Sequence, residues 1–593
     1  MSGEDSSTER VLNARLQYWL GVFVVYALLL LPSTWLLIDL LRDTLTWRYE
    51  RDTPLMVYMA WLMDTYGYLP WRDFFDMNLL GSYLSYLWIG RLFGWDDLGI
   101  RTAEIAVLVA IMAITVGILW RLGLRAAWAA ALLFVFLHLS YGLVWTLQRE
   151  LIALIPIGLG IACASGLPRL HPQWRAWLSG LCIGAAATIK PQFAFVLPFI
   201  CIYLAVELVP GQGRFGEKLR GTVSMAVMAG MGMALPLLGF LGYLLYNGLV
   251  EDFLHTAGYL KYYGQITANR SVLPPEMRLT YMINGILGAL QYEWTLIGLV
   301  GLMAAFANPR FDDAQRRIIM LLAGVIVALA AVPAVSGNFW RYHYLPMEYA
   351  MSLAAGLVFA PYTYSTDMVR RLLPALLVLL MCFQQFQPYN HFRPLYKHGK
   401  EVPMEGRPDQ VAEFLQEHLQ PGDLVQPLDW GGGGMVHAML YAHARIATKY
   451  IYYFHFFHAV DTDYIQNLKI DFLQELDASK PRFLLRGMLD VPGFVRGRGT
   501  ANRFPEAEAY IAANYRAVYR GRRHIIYERL GEATQEPTPA AAWGAALPKS
   551  SSAPPNVTVT PEQTDETARP APKYKRFPFK PLAPADGPSP PRP

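Results

Sequence analysis

Long apolar runs broken by short polar turns recur from residue 17 to residue 387, and this alternation predicts a bundle of helices in a lipid bilayer. The first run, about 17–41, is too long for a cleaved signal segment and lacks a small-residue cleavage site, so it reads as an uncleaved first span. Further runs lie near 99–120, 126–145, 150–167, 176–190, 192–209, 222–247, 280–307, 318–336, 344–361 and 371–387. Together they predict a polytopic α-helical membrane protein of about eleven spans. The first two spans are separated by a long, charged, aromatic-rich loop, 42–98. Within it, Thr53-Pro54 opens an amphipathic helix over 55–66, and an apolar helix near 79–93 is too short to span and lies in the interface.

Beyond residue 388 the period changes. Helix-like 408–419 alternates with strand-like 423–428, 482–485 and 525–528, which predicts a small α/β domain over 388–530 outside the membrane. Residues 531–593 are rich in Pro, Ala, Ser and Thr and cannot bury enough apolar surface to offset ordering, so a disordered tail is expected. The domain plan is therefore a cytoplasmic leader (1–16), a membrane domain (17–387) with its loop 42–98, the external domain (388–530) and the tail.

Composition narrows the class. With 54% hydrophobic and only 16% charged residues the chain is too apolar for an ordinary soluble enzyme. Its net charge of +5 is scattered over short loops, which argues against nucleic acid and for lipid contact. Cys163, Cys182, Cys201 and Cys382 all fall inside apolar runs and read as buried thiols, not as a disulfide framework. Alternate loops carry the basic residues: Arg121 and Arg125; Arg169 and Arg175; Arg214, Lys218 and Arg220; Arg310, Arg316 and Arg317; Arg370 and Arg371. The positive-inside rule puts these in the cytoplasm. Segments 42–98, 145–150, 248–279 and 336–343 and everything after 388 then face the other side, the periplasm of a bacterial inner membrane.

Candidate chemistry gathers on that second face. Asp52 sits at the bilayer surface, where it could take a proton from an incoming hydroxyl or merely cap the helix that follows. Asp73 and Asp76 frame two phenylalanines, and pairing of Arg72 with one of them is the favoured structural reading. Asp96 and Asp97 have the form of a helix cap. Arg149 and Glu150 stand at a membrane mouth, Lys190 closes a short span, and Arg341 and His343 open another. Arg149, Lys190, Arg341 and His343 could converge on one anion, or each could be an interfacial anchor. The glycines at 431–434 lack a Lys-Ser/Thr and form no phosphate loop. His455, His458, Asp461 and Asp463 are dense enough to raise a metal site, although an aromatic-rich surface is the favoured reading. Nothing in the sequence requires a cofactor, and a divalent metal is left open.

The run Gly67-Tyr68-Leu69-Pro70-Trp71-Arg72-Asp73-Phe74-Phe75-Asp76 behind Asp52, with Gln148-Arg149-Glu150, Thr188-Ile189-Lys190-Pro191 and 341–346, resembles the GT-C membrane glycosyltransferases. These include the protein O-mannosyltransferases, the aminoarabinose transferase of lipid A and the galacturonosyltransferases of rhizobial lipopolysaccharide. The resemblance covers all but the leader and tail. It implies a sugar donor on polyprenyl phosphate, Asp52 in the place of the first-loop catalytic aspartate, and Glu150 as candidate for a second acid. Where several relatives carry Asp-Glu, Thr53 follows Asp52, which counts against metal assistance by a pair there. The expected activity is inverting transfer of a sugar to a hydroxyl of a periplasmic glycan, lipid or protein. The rivals are a flippase or transporter of lipid-linked sugars, disfavoured by charges clustered on one face and by missing internal repeats, and a non-catalytic envelope scaffold.

Overall fold

The computed structural model describes residues 31–208, 215–267, 275–288, 293–336, 339–360, 407–429, 434–487, 499–521 and 524–531, together with residues 13, 16 and 20. Most of the leader and of the first span, the run 371–387, the glycines at 431–433 and the tail lie outside the described residues. Among the described residues five helices are long and apolar enough to cross a membrane: Asp97–Leu119, Arg149–Gly166, Pro191–Leu208, Gly216–Tyr246 and Asp313–Val335. Leu124–Leu139 and Thr295–Phe306 are apolar but shorter. Of the run expected as one span over 280–307, the described residues form the helices Pro275–Gly288 and Glu293–Phe306.

The bundle has two chemically distinct ends. Helix 97–119 begins where the Asp96 carboxylate accepts the Gly99 N–H at 2.8 Å, the cap expected of that residue. Its far end meets the turns of its neighbours: Arg121 reaches the Ser165 carbonyl at 3.4 Å, and Gln315 reaches that of Arg121 at 2.7 Å. There Arg175, expected as a loop cation, is fully buried and paired with Glu207 at 2.5 Å. The opposite end collects Asp52, Arg149, Glu150, Lys190 and His343.

Helices Pro172–Ile189 and Phe215–Tyr246 touch backbone to backbone. A Cβ on Gly180 would lie 2.0 Å from the Ala229 carbonyl oxygen, and one on Gly232 2.0 Å from that of Trp177. Small residues at this crossing are the means by which membrane helices approach closely. The long helix is followed by Asn247 and Gly248, whose carbonyls accept from Arg72 in the first loop.

The C-terminal unit is a five-stranded mixed sheet of β1 (Leu424–Leu428), β2 (Arg445–Ile446), β3 (Phe483–Gly487), β4 (Tyr515–Arg520) and β5 (His524–Arg529), in the order β2-β1-β3-β5-β4. β1 is parallel to β2 and β3, and β5 is antiparallel to β3 and β4. The unit sits on the first loop. The Phe75 N–H donates to the Lys449 carbonyl at 2.7 Å, Tyr58 to that of Ala444 at 2.7 Å, and Tyr441 to Asp97 at 2.6 Å. Arg48 pairs with Asp409 across the same contact.

Candidate active site

Asp52 precedes helix Thr53–Tyr66, and its side chain makes no cap bond. Pro54 stands in the first turn and has no N–H, which removes one of the donors a cap would engage. The helix-cap reading of Asp52 is thereby corrected. Its carboxylate lies 3.7 Å from the Arg149 guanidinium and keeps 42% of its side-chain surface open. Burial pushes its pKa up from the ordinary aspartate range, Arg149 opposes the rise, and Glu150 adds to it. A carboxylate so placed is a stronger base than a solvated one. The preceding residue, Arg51, has φ 61°, a left-handed conformation that costs a side chain about 1–2 kcal/mol.

The partner segment is held as firmly. Leu147 also sits at a left-handed φ of 45°. Its N–H donates to Glu104 at 3.2 Å, and its carbonyl accepts from the Tyr86 hydroxyl at 2.6 Å. The Thr53 hydroxyl donates to the Thr146 carbonyl at 2.6 Å. Arg149 and Glu150, which open the next helix, are set by these bonds next to Asp52.

Glu150 is wholly buried, with Lys190 Nζ at 2.5 Å and His343 Nε2 at 3.7 Å from the same carboxylate oxygen. Its other oxygen has no hydrogen-bond partner among the described residues. Arg149, Lys190 and His343, far apart in sequence, therefore meet around the acids Asp52 and Glu150. Arg341 is one step away. Its guanidinium lies over the Tyr141 ring at 4.9 Å, with Nε 3.3 Å from the hydroxyl, which in turn donates to Glu348 at 2.5 Å. Tyr342 joins the two centres, its ring 5.0 Å from Trp145 and 4.4 Å from His343.

The expected pairing of Arg72 with Asp73 or Asp76 is corrected. Arg72 reaches Asp252 at 3.0 Å, because Asp73 folds back to accept the Leu69 N–H at 2.6 Å and Asp76 turns inward. Asp76 is almost completely buried and accepts from Tyr83 at 2.5 Å, from Asn78 at 2.6 Å and from Tyr452 of the sheet unit. All three residues support the loop geometrically, and the Asp76 carboxylate is near enough to add to the rise in the Asp52 pKa.

His455 and His458 are buried in a box of rings. Tyr259 lies 4.4 Å and Phe75 4.9 Å from the His455 ring, and the Tyr259 hydroxyl meets His458 Nε2. Burial drives both pKa values down, that of His458 to about 3. Among the described residues no three His, Cys, Asp or Glu side chains gather into a metal-ligand set, and the Thr53 hydroxyl is committed to the Thr146 carbonyl.

Glu104, His138 and Glu348 went unremarked in the sequence. Each is a polar residue in a largely apolar helix, Glu104 with Arg101 one turn before it, and such residues in membrane segments are costly to hold unless partnered. That cost was the available signal.

No protein-family model and no curated protein matches the chain. Among solved structures it is similar to ArnT from Cupriavidus metallidurans bound to undecaprenyl phosphate, at 12% identity and a TM-score of 0.38, over 86% of this chain and 99% of that one. The apo state of the same ArnT aligns at 12% identity and a TM-score of 0.36, over 88% and 100%. At that level of likeness the chemistry has to be argued from this chain's own residues.

Proposed function

We propose that the chain is a multi-pass membrane glycosyltransferase that moves a sugar from polyprenyl phosphate to a hydroxyl of a periplasmic glycan, lipid or protein, with inversion at the anomeric carbon. The observation that carries this reading is the open Asp52 carboxylate beside Arg149, with Lys190 and His343 gathered around Glu150 at the same end of the bundle. The resemblance of the first-loop motif to the GT-C enzymes supplies the substrate class.

In this mechanism the acceptor hydroxyl gives its proton to Asp52 as its oxygen attacks the anomeric carbon. The bond from that carbon to the phosphate oxygen breaks on the far side, and its electron pair stays with the phosphate. Polyprenyl phosphate leaves readily, so one base and stabilisation of the growing negative charge suffice. Arg149, Lys190, His343 and, one step out, Arg341 are the groups assigned to that charge. Glu150 holds Lys190 and His343 in place. Arg72, Asp73 and Asp76 shape the loop, and the sheet unit guides the acceptor. The basic turns at the other end of the bundle face the cytoplasm by the positive-inside rule, which puts Asp52 and the sheet unit in the periplasm of the inner membrane.

Asp52→Asn keeps the shape and removes the base. Transfer of sugar from a polyprenyl-phosphate donor in reconstituted vesicles should fall at least about 100-fold, the usual scale for a lost general base. Undiminished transfer by Asp52→Asn removes the base role. A wild-type protein that translocates the lipid-linked sugar without transferring it favours the transporter.

A further inference from the structure

The site described above uses Asp52 and Arg149 but leaves a fully buried ionic cluster behind them without a task. Glu104 lies in the middle of it. One oxygen takes Arg101 Nη1 at 2.6 Å, and the other has His138 Nε2 at 2.8 Å and the Leu147 N–H at 3.2 Å. Arg101 then extends to the opposite side. Its Nε donates to the Trp47 carbonyl at 3.1 Å and its Nη2 to that of Arg48, while its guanidinium covers the Trp47 ring at 5.6 Å. All three side chains are nearly inaccessible: Arg101 1%, Glu104 2% and His138 3% exposed.

The two backbone segments grasped by this cluster are the two that bear the candidate site. Trp47 and Arg48 lead into Asp52, and Leu147 leads into Arg149 and Glu150. Each segment passes through a non-glycine residue in the left-handed region just before its functional side chain, Arg51 in one and Leu147 in the other. Such conformations persist only where surrounding bonds over-determine them. A buried ion pair serving stability alone has no need to hold two loops, and apolar side chains of similar size do as well.

We infer that Glu104, with Arg101 and His138, is the positioning device that sets the distance between Asp52 and Arg149. Its relevance to catalysis rests on the reading of Asp52 as the base. The placement itself does not, and the test separates the two. Glu104 touches neither substrate nor reacting atom, so it is a positioning residue. It acts through the Leu147 peptide on one side and through Arg101 on the other.

The test follows the titration of Asp52 in full-length protein in lipid nanodiscs, from the infrared carboxylate bands that disappear in Asp52→Asn. Arg149 holds the pKa of Asp52 down, so a variant that lets Arg149 drift away should raise it. Glu104→Gln should move the midpoint upward by about one pH unit, the size expected for losing a neighbouring charge at partly solvated range. Arg149→Met should do the same, and the double variant should move it no further. Glu104→Gln leaves Arg101 buried without its counter-charge, so Arg101→Lys provides a second route: it keeps a cation for Glu104 but loses the fork onto Trp47 and Arg48. An upward shift in Arg101→Lys supports the device even where Glu104→Gln does not fold. An unchanged midpoint in either variant, with the fold intact, overturns it and reduces the cluster to a stability element. Loss of transfer in Asp52→Asn bears on the proposed reaction and leaves this outcome untouched.

Discussion

Replacement of Lys190 by methionine is the most demanding test of the cluster around Glu150. Glu150 is inaccessible, and Lys190, at 19% exposure, lies 2.5 Å away. Removing the cation strands a buried carboxylate, and breaking such a pair from one side costs about 3–5 kcal/mol. His343 at 3.7 Å supplies part of the missing charge, which places the expectation near the lower figure, about 3 kcal/mol. Glu150→Gln strands the ammonium instead and should cost a similar amount. Lys190→Met with Glu150→Gln strands neither, so the double variant should be less stable than wild type by only about 1–2 kcal/mol. The coupling is then about 4–5 kcal/mol, a factor of roughly a thousand or more in the folding equilibrium. Reversible unfolding by SDS titration in mixed micelles, followed by tryptophan fluorescence, measures all four proteins. If Lys190 also binds the donor phosphate, the double variant regains stability yet remains slow in transfer. Additive single effects would refute the buried pair and return Lys190 to an interfacial anchor.

Asp52→Asn should raise stability at neutral pH: between its unfolded and its raised folded pKa, Asp52 holds a proton that the unfolded chain has released, so stability falls as pH rises through that window and the loss persists once the carboxylate is ionised. A Tm below that of wild type at pH 7 would contradict the raised pKa, and transfer itself should fade as pH drops and Asp52 is protonated. His437, buried against Tyr49 and Tyr441, has its pKa pushed from about 6.5 to about 3 by burial, with Arg48 adding to the fall. Its contribution is present above about pH 6.5 and lost as pH falls towards 3, so His437→Phe should flatten the acid side of the stability profile, and equal acid sensitivity in both proteins would count against this. Tyr452→Phe withdraws one donor from buried Asp76, at a cost of about 1.5–3 kcal/mol for a charged hydrogen bond, and hydrogen exchange should quicken at 69–78 while the helix 97–119 is unchanged.

What could be read from the chain ahead of its structure followed local rules. Asp96 caps a helix because its position before an apolar run dictates that role, and the strands near 423–428 and 525–528 show as short apolar runs, the second with its paired isoleucines. The gathering of Arg149, Lys190 and His343 was legible as a coincidence of helix ends on one face. Their individual partners were not. Arg72 has two acids beside it in sequence and chooses Asp252, because Asp73 and Asp76 are already engaged by Leu69 and by Tyr83 and Tyr452. Glu348 looks like a solitary interruption of an apolar helix until the fold brings Tyr141 to it, and Glu104, one turn after Arg101 in its own helix, gives no sign in sequence of His138.

The helix Phe215–Tyr246 has 32 residues, close to 48 Å at about 1.5 Å each, against a hydrocarbon layer about 30 Å thick. A lipid-embedded rod of that length either leans or overhangs. Just past its end, the carbonyls of Asn247 and Gly248 are moored to Arg72 of the first loop, and its middle is locked against the helix that ends beside Lys190. A thinner or thicker bilayer, by changing the lean, tugs on the loop and on Lys190 together. Lipid chain length thus becomes a mechanical input to the site.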